Sequence, residues 1–350
     1  MNMKSNNNNT INNQTQKTDL LIHQIMVKYG YFPKTSFYDK NNNNNQNLPE
    51  NKNFQKLFPN LTTFFMNLDI NFSEFIKKNE PDEKNSLNTR IRFFILNEIS
   101  ECNNEISSFI RNFWDSLNEK VKSHIILFLY MANEYITDKL NNYDKNILYW
   151  TILFHDIGKF HEMNKYYKED YSNNKRKDKS HPFKSAIIFI QTLLNKELIY
   201  FTDENEKEKF IKFFEKEFTD AIYKSFEKEY NEYYPYPLFY NISFKNFENI
   251  EKFLLKLKEH EENKWIYDII ILIIFHQSLP NKDQDDCDVN HINKPLLDKK
   301  YIKKLFDVRL LELMRIILIY DSSNYCLFEG KWDQKIDKHF DLLINELFCK

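Results

Sequence analysis

Apolar residues recur every three or four positions along much of this chain, which is the period of an amphipathic α-helix. Val121, Ile125 and Phe128 mark the buried face of a helix predicted over residues 119–140. Residues 146–157 are nearly all apolar, which is typical of a helix buried on every side. The same reasoning predicts further helices over residues 182–194, 265–278 and 302–320. The pattern therefore predicts an all-α fold in the form of a helical bundle.

Shifts in composition predict how the chain is divided. Residues 1–55 contain runs of asparagine and few apolar positions, so we interpret them as a low-complexity, disordered tail. Residues 56–118 return to an amphipathic pattern and are predicted to pack as helices on the rest of the protein. Residues 119–350 form the main domain. Within it, the stretch at about 201–260 is rich in Glu, Lys, Phe and Tyr, and we interpret it as a helical insertion.

The glycine content removes two classes of nucleotide-binding protein. Gly30, Gly158 and Gly330 are the only glycines among 350 residues, whereas a P-loop or a dinucleotide-binding fingerprint needs two or three close together. Any phosphate chemistry must therefore depend on side chains or on metal ions. Scarce glycine and nine scattered prolines also favour a helical protein over a turn-rich β fold.

The charge and the cysteine content limit which binding partners and which cellular compartment we expect. The formal net charge of −2 argues against a nucleic-acid-binding protein, because such proteins usually carry a basic face. The four cysteines form no Cys-x-x-Cys pair, so neither a thiolate zinc site nor a disulfide framework is expected. The chain opens on polar residues rather than a signal peptide, and its longest apolar runs are too short to span a bilayer. We expect no membrane partner and a cytoplasmic location, with a nuclear one left open.

Histidine and aspartate residues fall on the apolar faces of these helices. His124 lies on the predicted inward face of its helix, although a single inward histidine is more often an ordinary core residue. His155 and Asp156 end the apolar segment just before Gly158, a residue suited to the positive φ of a helix C-terminus. Burying an aspartate beside a histidine is unfavourable unless each is paired or bound to metal.

Three more such residues belong to other predicted helices. His181 precedes Pro182 at the start of one helix, His276 continues the inward face of another, and Asp321 ends the apolar face of a third. Five separate helices thus each bring a His or Asp inward, which indicates a shared site. Imidazole and carboxylate together suit one or two divalent ions, such as Mn, Fe, Zn, Co, Ni or Mg. The candidate metal ligands are His124, His155, Asp156, His181, His276 and Asp321.

Asp156 and Lys159 are the candidate catalytic residues. A divalent ion would lower the pKa of bound water and polarise a phosphoryl oxygen. The Asp156 carboxylate could bridge two ions or act as a base. Lys159 follows Asp156 by three residues, and its compact charge could neutralise an oxygen of a substrate phosphate.

The order of these residues resembles the pattern of the HD-domain superfamily of metal-dependent phosphohydrolases. The chain reads Phe-His-Asp-Ile-Gly-Lys around Asp156 and His-Pro-Phe-Lys-Ser-Ala from His181, with one His before these segments and a His and an Asp after them. The resemblance covers roughly residues 119–325 and implies an all-helical fold with metal-dependent phosphohydrolase or phosphodiesterase activity. It further implies a first ion held by His124, His155, Asp156 and Asp321, and a second held by Asp156, His181 and His276.

Three departures from that pattern bear on the second ion and the substrate. His276-Gln277 stands where many two-metal members carry a His pair, which predicts a weaker second site. Phe160-His161 replaces the Glu-Asp pair of the members that hydrolyse guanosine alarmones, so that activity is not expected. The Gly-Tyr-Pro signature of the cyclic-dinucleotide phosphodiesterases is absent as well.

We therefore expect a phosphomonoesterase or phosphodiesterase that acts on a small phosphorylated molecule such as a nucleotide. Two alternatives stay open. Inositol-oxygenase-like proteins share the His-Asp pair and the following Lys, but they use a di-iron centre to cleave a C–C bond. A non-catalytic module that binds a nucleotide or a partner protein is the other alternative, and the near-complete motif argues against it.

Overall fold

All the regular structure in the described part of the chain is helical, which confirms the predicted all-α class. The computed structural model describes residues 48–63, 100–110, 112–133, 140–159, 181–219, 244–276, 299–326 and 334–348. In these ranges no helix has both the length and the apolar character that crossing a bilayer requires. The α-helices are α1 (Phe54–Leu57), α2 (Ser100–Ile110), α3 (Asn112–Asp115), α4 (Glu119–Met131), α5 (Asn142–Phe154), α6 (His181–Asn195), α7 (Glu204–Phe213), α8 (Phe244–Lys258), α9 (Lys264–Phe275), α10 (Lys299–Leu305), α11 (Val308–Cys326) and α12 (Gln334–Phe348).

Asparagine and aspartate side chains define where several helices begin. Asn118 accepts a hydrogen bond from the backbone N–H of Val121 at the start of α4, and Asn141 accepts one from Asp144 at the start of α5. These bonds satisfy N–H groups that have no partner inside the helix. Helix α6 begins at His181 with Pro182 next, which confirms the predicted helix over 182–194.

Helix α9 lies at the centre of the core, and every side chain from Trp265 to Phe275 is buried. It packs against α5, α6, α8 and α11. The rings of Trp150 on α5 and Trp265 on α9 lie 5.8 Å apart, and Trp150 lies 6.2 Å from Phe189 on α6. Helices α5, α6 and α9 are thereby fixed against one another by large, fully buried aromatic side chains.

The helix predicted over 302–320 is two helices, α10 and α11, so that prediction was wrong in one respect. The chain leaves the helical path at Phe306 and Asp307, and the Asp307 carboxylate accepts a hydrogen bond of 2.7 Å from the backbone N–H of Leu310. This cap begins a new helix in the middle of an apolar run. Asp321 therefore lies within α11 rather than at the end of its helix.

The predicted tail boundary at residue 55 is too late, because residues 48–55 belong to the packed domain. Phe54 is 1% exposed, and its backbone N–H donates to Asn146 Oδ1 at 2.8 Å. The indole N–H of Trp150 donates to the carbonyl of Lys52 at 3.0 Å. The rest of the predicted tail, residues 1–47, lies outside the described residues.

Both described ends of the predicted insertion, 201–219 and 244–260, contain helices. Helix α7 continues into a π-helical turn over Phe214–Thr219, which packs against α8. The rings of Phe218 and Phe253 lie 4.4 Å apart in this contact. Helix α8 in turn packs on α9, so this part of the chain is joined to the central core. Residues 220–243 lie outside the described residues.

Candidate metal centre

The six predicted ligands lie together at one end of the helical core. His124 lies within α4, His155 and Asp156 directly follow α5, His181 begins α6, His276 directly follows α9, and Asp321 lies within α11. All of them are at most 1% exposed except Asp321, whose side chain is 17% exposed. Two groups of buried side chains within this set have ligand atoms close enough to share an ion.

The first group consists of His124, His155 and Asp156, and an oxygen of Asp321 lies beside its two histidines. His124 Nε2 lies 2.8 Å from Asp321 Oδ1 and 3.2 Å from His155 Nε2. Asp156 Oδ2 lies 3.4 Å from His124 Nε2 and 3.6 Å from His155 Nε2. Neighbouring ligands around a first-row ion, each at about 2.1 Å from it, lie about 3.0–3.4 Å apart. The observed separations of 2.8–3.6 Å lie around this range, so His124, His155 and Asp156 have the spacing of ligands to one ion, with Asp321 close to both histidines.

The second group shares one residue with the first. Asp156 Oδ1 lies 3.0 Å from His181 Nε2 and 3.9 Å from His276 Nε2. The two imidazole nitrogens are 3.4 Å apart. Because the other oxygen of Asp156 faces the first group, its carboxylate lies between the two groups and could bridge two ions.

Backbone carbonyls fix the orientation of two of the histidines. His155 Nδ1 donates to the carbonyl of Ile152 at 2.7 Å, and His276 Nδ1 donates to that of Ile273 at 2.6 Å. A carbonyl can only accept, so Nδ1 carries the proton in both rings. The neutral ring then directs the lone pair of Nε2 into the centre, as in histidines that ligate metals.

The residues fit a bound cation. Asp156 Oδ1 and Asp321 Oδ1 are buried and make no hydrogen bond of acceptable geometry within the described part of the chain, although imidazole nitrogens lie close to both. Buried polar atoms in folded proteins are rarely left in this state. The lone pairs of the imidazole nitrogens and carboxylate oxygens point into two small volumes, where they repel one another. A cation bound in each volume would attract these lone pairs. Nitrogen and oxygen donors without a thiolate suit divalent first-row ions.

The two carboxylates are held in the charged form. Burial alone would raise the pKa of Asp156, but Lys159 and His155 hold it well below its usual range. Burial would likewise raise the pKa of Asp321, whereas His124 and His155 keep it far below the usual range. Both residues therefore offer an anionic ligand across the physiological pH range.

Burial and neighbouring charges act differently on the histidines. Burial lowers the pKa of His124 and, with the nearby His155 and His181 rings, lowers that of His276 to about 3. Burial also opposes protonation of His155, but the charges of Asp156 and Asp321 raise its pKa overall. The neutral form needed for metal ligation is therefore most strongly favoured at His276 and His124.

Lys159 lies at the more accessible side of the centre. Its Nζ is 2.6 Å from Asp156 Oδ2, and its side chain is 25% exposed whereas Asp156 is 1% exposed. With the partly exposed Asp321, it marks the side from which a ligand could approach. The structure thus places the predicted catalytic Lys159 against the carboxylate that the two groups share.

A short turn over Ile157–Lys159 carries Gly158 against α6, a feature that the sequence did not reveal. A side-chain carbon at Gly158 would lie 2.4 Å from the carbonyl oxygen of His181 and 2.7 Å from the backbone nitrogen of Ser185. Its backbone φ is not in the left-handed region, so the predicted need for positive φ was wrong. Glycine is required here because two backbones approach closely.

A second buried polar network joins the opposite ends of three ligand-bearing helices. Arg309 near the start of α11 donates to Asp144 Oδ1 at 2.7 Å and to Asp268 Oδ2. The hydroxyl of Tyr143 donates to the same Asp268 oxygen at 3.0 Å. Asp144 and Asp268 lie near the N-termini of α5 and α9, so one guanidinium joins all three helices. Opposite charges on separate helices gave no sequence signal, because their pairing depends on the fold.

Comparison of the chain with protein-family models, with curated proteins and with solved structures finds no match. The resemblance to the HD-domain superfamily therefore rests on the residues and motifs themselves.

Proposed function

We propose that this protein is a metal-dependent phosphohydrolase of the HD-domain type that acts on a small phosphorylated molecule. The observation that supports this most strongly is the pair of donor groups on either side of Asp156, with the Lys159 ammonium 2.6 Å from the shared carboxylate. Two ions about one shared carboxylate, with a cation at the entrance, suit the transfer of a phosphoryl group to water.

The residues divide between two ions according to these distances. The first would be held by His124, His155, Asp156 and Asp321, and the second by Asp156, His181 and His276. The second group has fewer protein ligands among the described residues, and it would leave more positions for water or substrate. When bound, a divalent ion supplies Lewis acidity toward a phosphoryl oxygen and makes a coordinated water more acidic.

The charges of the chain's own residues support an anionic substrate. Asp156 and Asp321 are negative and Lys159 is positive, so a single divalent ion is enough to reverse the net charge of the centre to positive. The Lys159 ammonium can donate to a phosphoryl oxygen from the exposed side while it keeps Asp156 deprotonated. A nucleotide or another small phosphate ester is the substrate class that this charge favours.

Replacing Asp156 with Asn tests the metal centre. The change keeps the size of the side chain but removes the charge and the shared ligand. The wild-type protein should contain one to two first-row ions per chain by elemental analysis. The variant should bind Mn²⁺ more than about 100-fold more weakly in calorimetric titration, beyond the 10- to 100-fold typical of outer-sphere partners. Asp341→Asn makes the same chemical change at an aspartate whose side chain is 40% exposed and paired with the buried Arg315, and it should leave binding unchanged. A wild-type protein that binds none of Mn²⁺, Fe²⁺, Co²⁺ and Ni²⁺ would refute the proposal.

Lys159→Met distinguishes a phosphohydrolase from a di-iron oxygenase. Phosphorylated metabolites should be hydrolysed by the wild type, and the variant should lose at least about 100-fold in kcat, because charge stabilisation in a transition state is worth several kcal/mol. Substrate capture by the variant should also depend less on ionic strength. Lys207→Met, at a surface lysine paired with Glu204, is the control and should behave as wild type. Consumption of O₂ with a polyol, and no phosphate release from any ester, would replace this proposal with the oxygenase.

A further inference from the structure

Ser185 lies outside the donor groups, yet it holds the turn that carries two of their residues. It is fully buried on α6. Its hydroxyl donates to the carbonyl of His155 at 2.8 Å and accepts from the backbone N–H of Gly158 at 2.9 Å. One hydroxyl therefore ties the backbone on both sides of Asp156 to a different helix, and both of its hydrogen bonds are used for this purpose.

The same helix carries His181, one turn before Ser185. Residues four apart lie on one face of an α-helix, so Ser185 and His181 both face the turn. Gly158 has no side-chain carbon, and this allows the turn to lie close to α6. A carbon there would collide with the His181 carbonyl and the Ser185 nitrogen. The contact between Asp156 Oδ1 and His181 Nε2, 3.0 Å, thus depends on how the turn is seated against α6.

We propose that Ser185 is a positioning residue that sets the distance between the shared carboxylate of Asp156 and the ligands of the second ion. The proposal rests on the metal centre proposed above. His155 is also positioned by its own helix α5 and by the Ile152 carbonyl, and His124 lies on α4, so the histidines of the first group depend less on Ser185 than the position of Asp156 does. Asp156 and His181 belong to different elements, and the hydroxyl of Ser185 bridges those elements through the backbone on both sides of Asp156.

Removal of the hydroxyl should therefore act mainly on the second ion. In Ser185→Ala, the Gly158 N–H and the His155 carbonyl lose their partner, and the turn is free to move relative to His181. Hydrogen-bonding partners of metal ligands typically change metal affinity by about 10- to 100-fold when removed. We expect a rise of that size in the dissociation constant of the weaker of two Mn²⁺ ions, with a smaller change for the tighter one.

Thr192→Val is the matched control. Thr192 lies on the same helix, is buried, and donates its hydroxyl to the carbonyl of Ile188 at 2.8 Å, but it does not touch the turn. Both variants lose one buried hydroxyl from α6, so a general weakening of the helix would affect them alike. Ser185→Cys keeps a weak hydrogen-bonding group of similar size and should give an intermediate affinity.

The experiment is calorimetric titration of metal-stripped, full-length protein with Mn²⁺, followed by the absorption spectrum of the Co²⁺ form, which reports ligand geometry. A selective loss of the weaker ion in Ser185→Ala, with Thr192→Val unchanged, supports the proposal. Equal affinities in wild type and Ser185→Ala, or equal losses in both variants, overturn it while leaving the metal centre intact. If Ser185→Ala fails to fold, Ser185→Cys decides by the same comparison. A wild-type protein that binds no ion overturns both proposals.

Discussion

At the scale of single residues, Gly158 shows how closely the arrangement of the candidate metal ligands depends on the backbone. The turn that follows α5 must bring Asp156 toward two groups of histidines at once, and it does so by resting directly on the first turn of α6. No other residue type leaves room for that contact, because every other one adds at least one carbon at the point of closest approach.

Gly158→Ala should therefore weaken both the fold and the metal centre. The added methyl group would meet backbone atoms at 2.4 and 2.7 Å, so the turn must move away from α6. Forced packing of this kind typically costs about 1–3 kcal/mol of unfolding free energy. We expect that loss in urea denaturation of the metal-free protein, together with weaker Mn²⁺ binding. Wild-type stability and affinity in the variant would show that the turn has space that the structure does not reveal.

The types of the ligand residues could be predicted from sequence, whereas the contacts that position them could not. A histidine or aspartate on an apolar helical face is conspicuous, because burial of such groups needs a reason. Ser185 belongs to the His-Pro-Phe-Lys-Ser-Ala segment that carries the resemblance, but nothing in that segment predicts that its hydroxyl contacts the His155 carbonyl. Its position four residues after His181 indicates only that the two residues share a helical face.

At the scale of helices, the network around Arg309 fixes the ends of α5, α9 and α11 that lie away from the metal centre. The chain from Asp268 to Phe275 is one continuous buried helix, so the position of its start helps to set the position of His276, which directly follows it. Burial raises the pKa of Asp268 to about 6, although Arg309 and Tyr143 act in the opposite direction and Asp307 adds to the rise. The folded protein therefore keeps the Asp268 proton to a higher pH than the unfolded chain does.

The sign of this shift gives a prediction for stability against pH. An aspartate in an unfolded chain has a pKa of about 3.9. Between that value and about 6 the folded protein holds a proton that the unfolded chain has lost, so this contribution is complete below about pH 4 and disappears as the pH rises through 6. Asp268→Asn removes the titration. Relative to this variant, the wild type should lose up to about 3 kcal/mol of unfolding free energy between pH 4 and pH 7 in urea denaturation. Parallel curves for the two proteins would contradict the prediction.

Periodicity indicated where most helices lie, but the helix predicted over 146–157 spans Asn142–Phe154, and the one predicted over 302–320 is divided by a capping residue. The period continues without a break from Ile302 to Leu311, and nothing in it distinguishes one helix from two. What marks the start of a second helix is the hydrogen bond from the Leu310 backbone N–H to Asp307. That bond depends on a local change of backbone direction. A polar residue within an apolar period can be an exposed position or a cap, and the sequence alone does not separate them.

At the scale of the whole molecule, the segment of residues 48–57, which contains Phe54, packs against the helical core. Phe54 lies against the rings of Phe58, Tyr149 and Trp150 at centroid distances of 4.6, 5.3 and 5.6 Å. The nearby asparagine runs concealed this contribution, because the average composition around Phe54 is that of a polar tail. A single aromatic residue hardly changes the average composition of such a stretch, even when it packs in the core.

Two truncations test where the domain begins. Deletion of residues 1–47 should leave the unfolding free energy within about 1 kcal/mol of wild type, because the sequence predicts no core residues in the asparagine runs. Deletion of residues 1–57 also removes Phe54, and loss of a buried phenylalanine alone typically costs about 3–5 kcal/mol. The measurement is urea denaturation of both proteins beside the full chain. A large loss in the shorter deletion would place further core residues before residue 48.

The spread of ligands over the span 124–321 has a consequence for how the protein is made. Synthesis proceeds from the N-terminus, so the group of Asp156, His181 and His276 is complete on the nascent chain before Asp321 has been added. The Asp321 carboxylate can reach His124 and His155 only after α11 has been synthesised and has docked beside α4. A chain that stalls, misfolds or is cleaved before that step would carry an incomplete set of donors. Occupancy of an ion that depends on Asp321 would then report on the fraction of molecules that completed synthesis and folding, whereas occupancy of the group of Asp156, His181 and His276 would not.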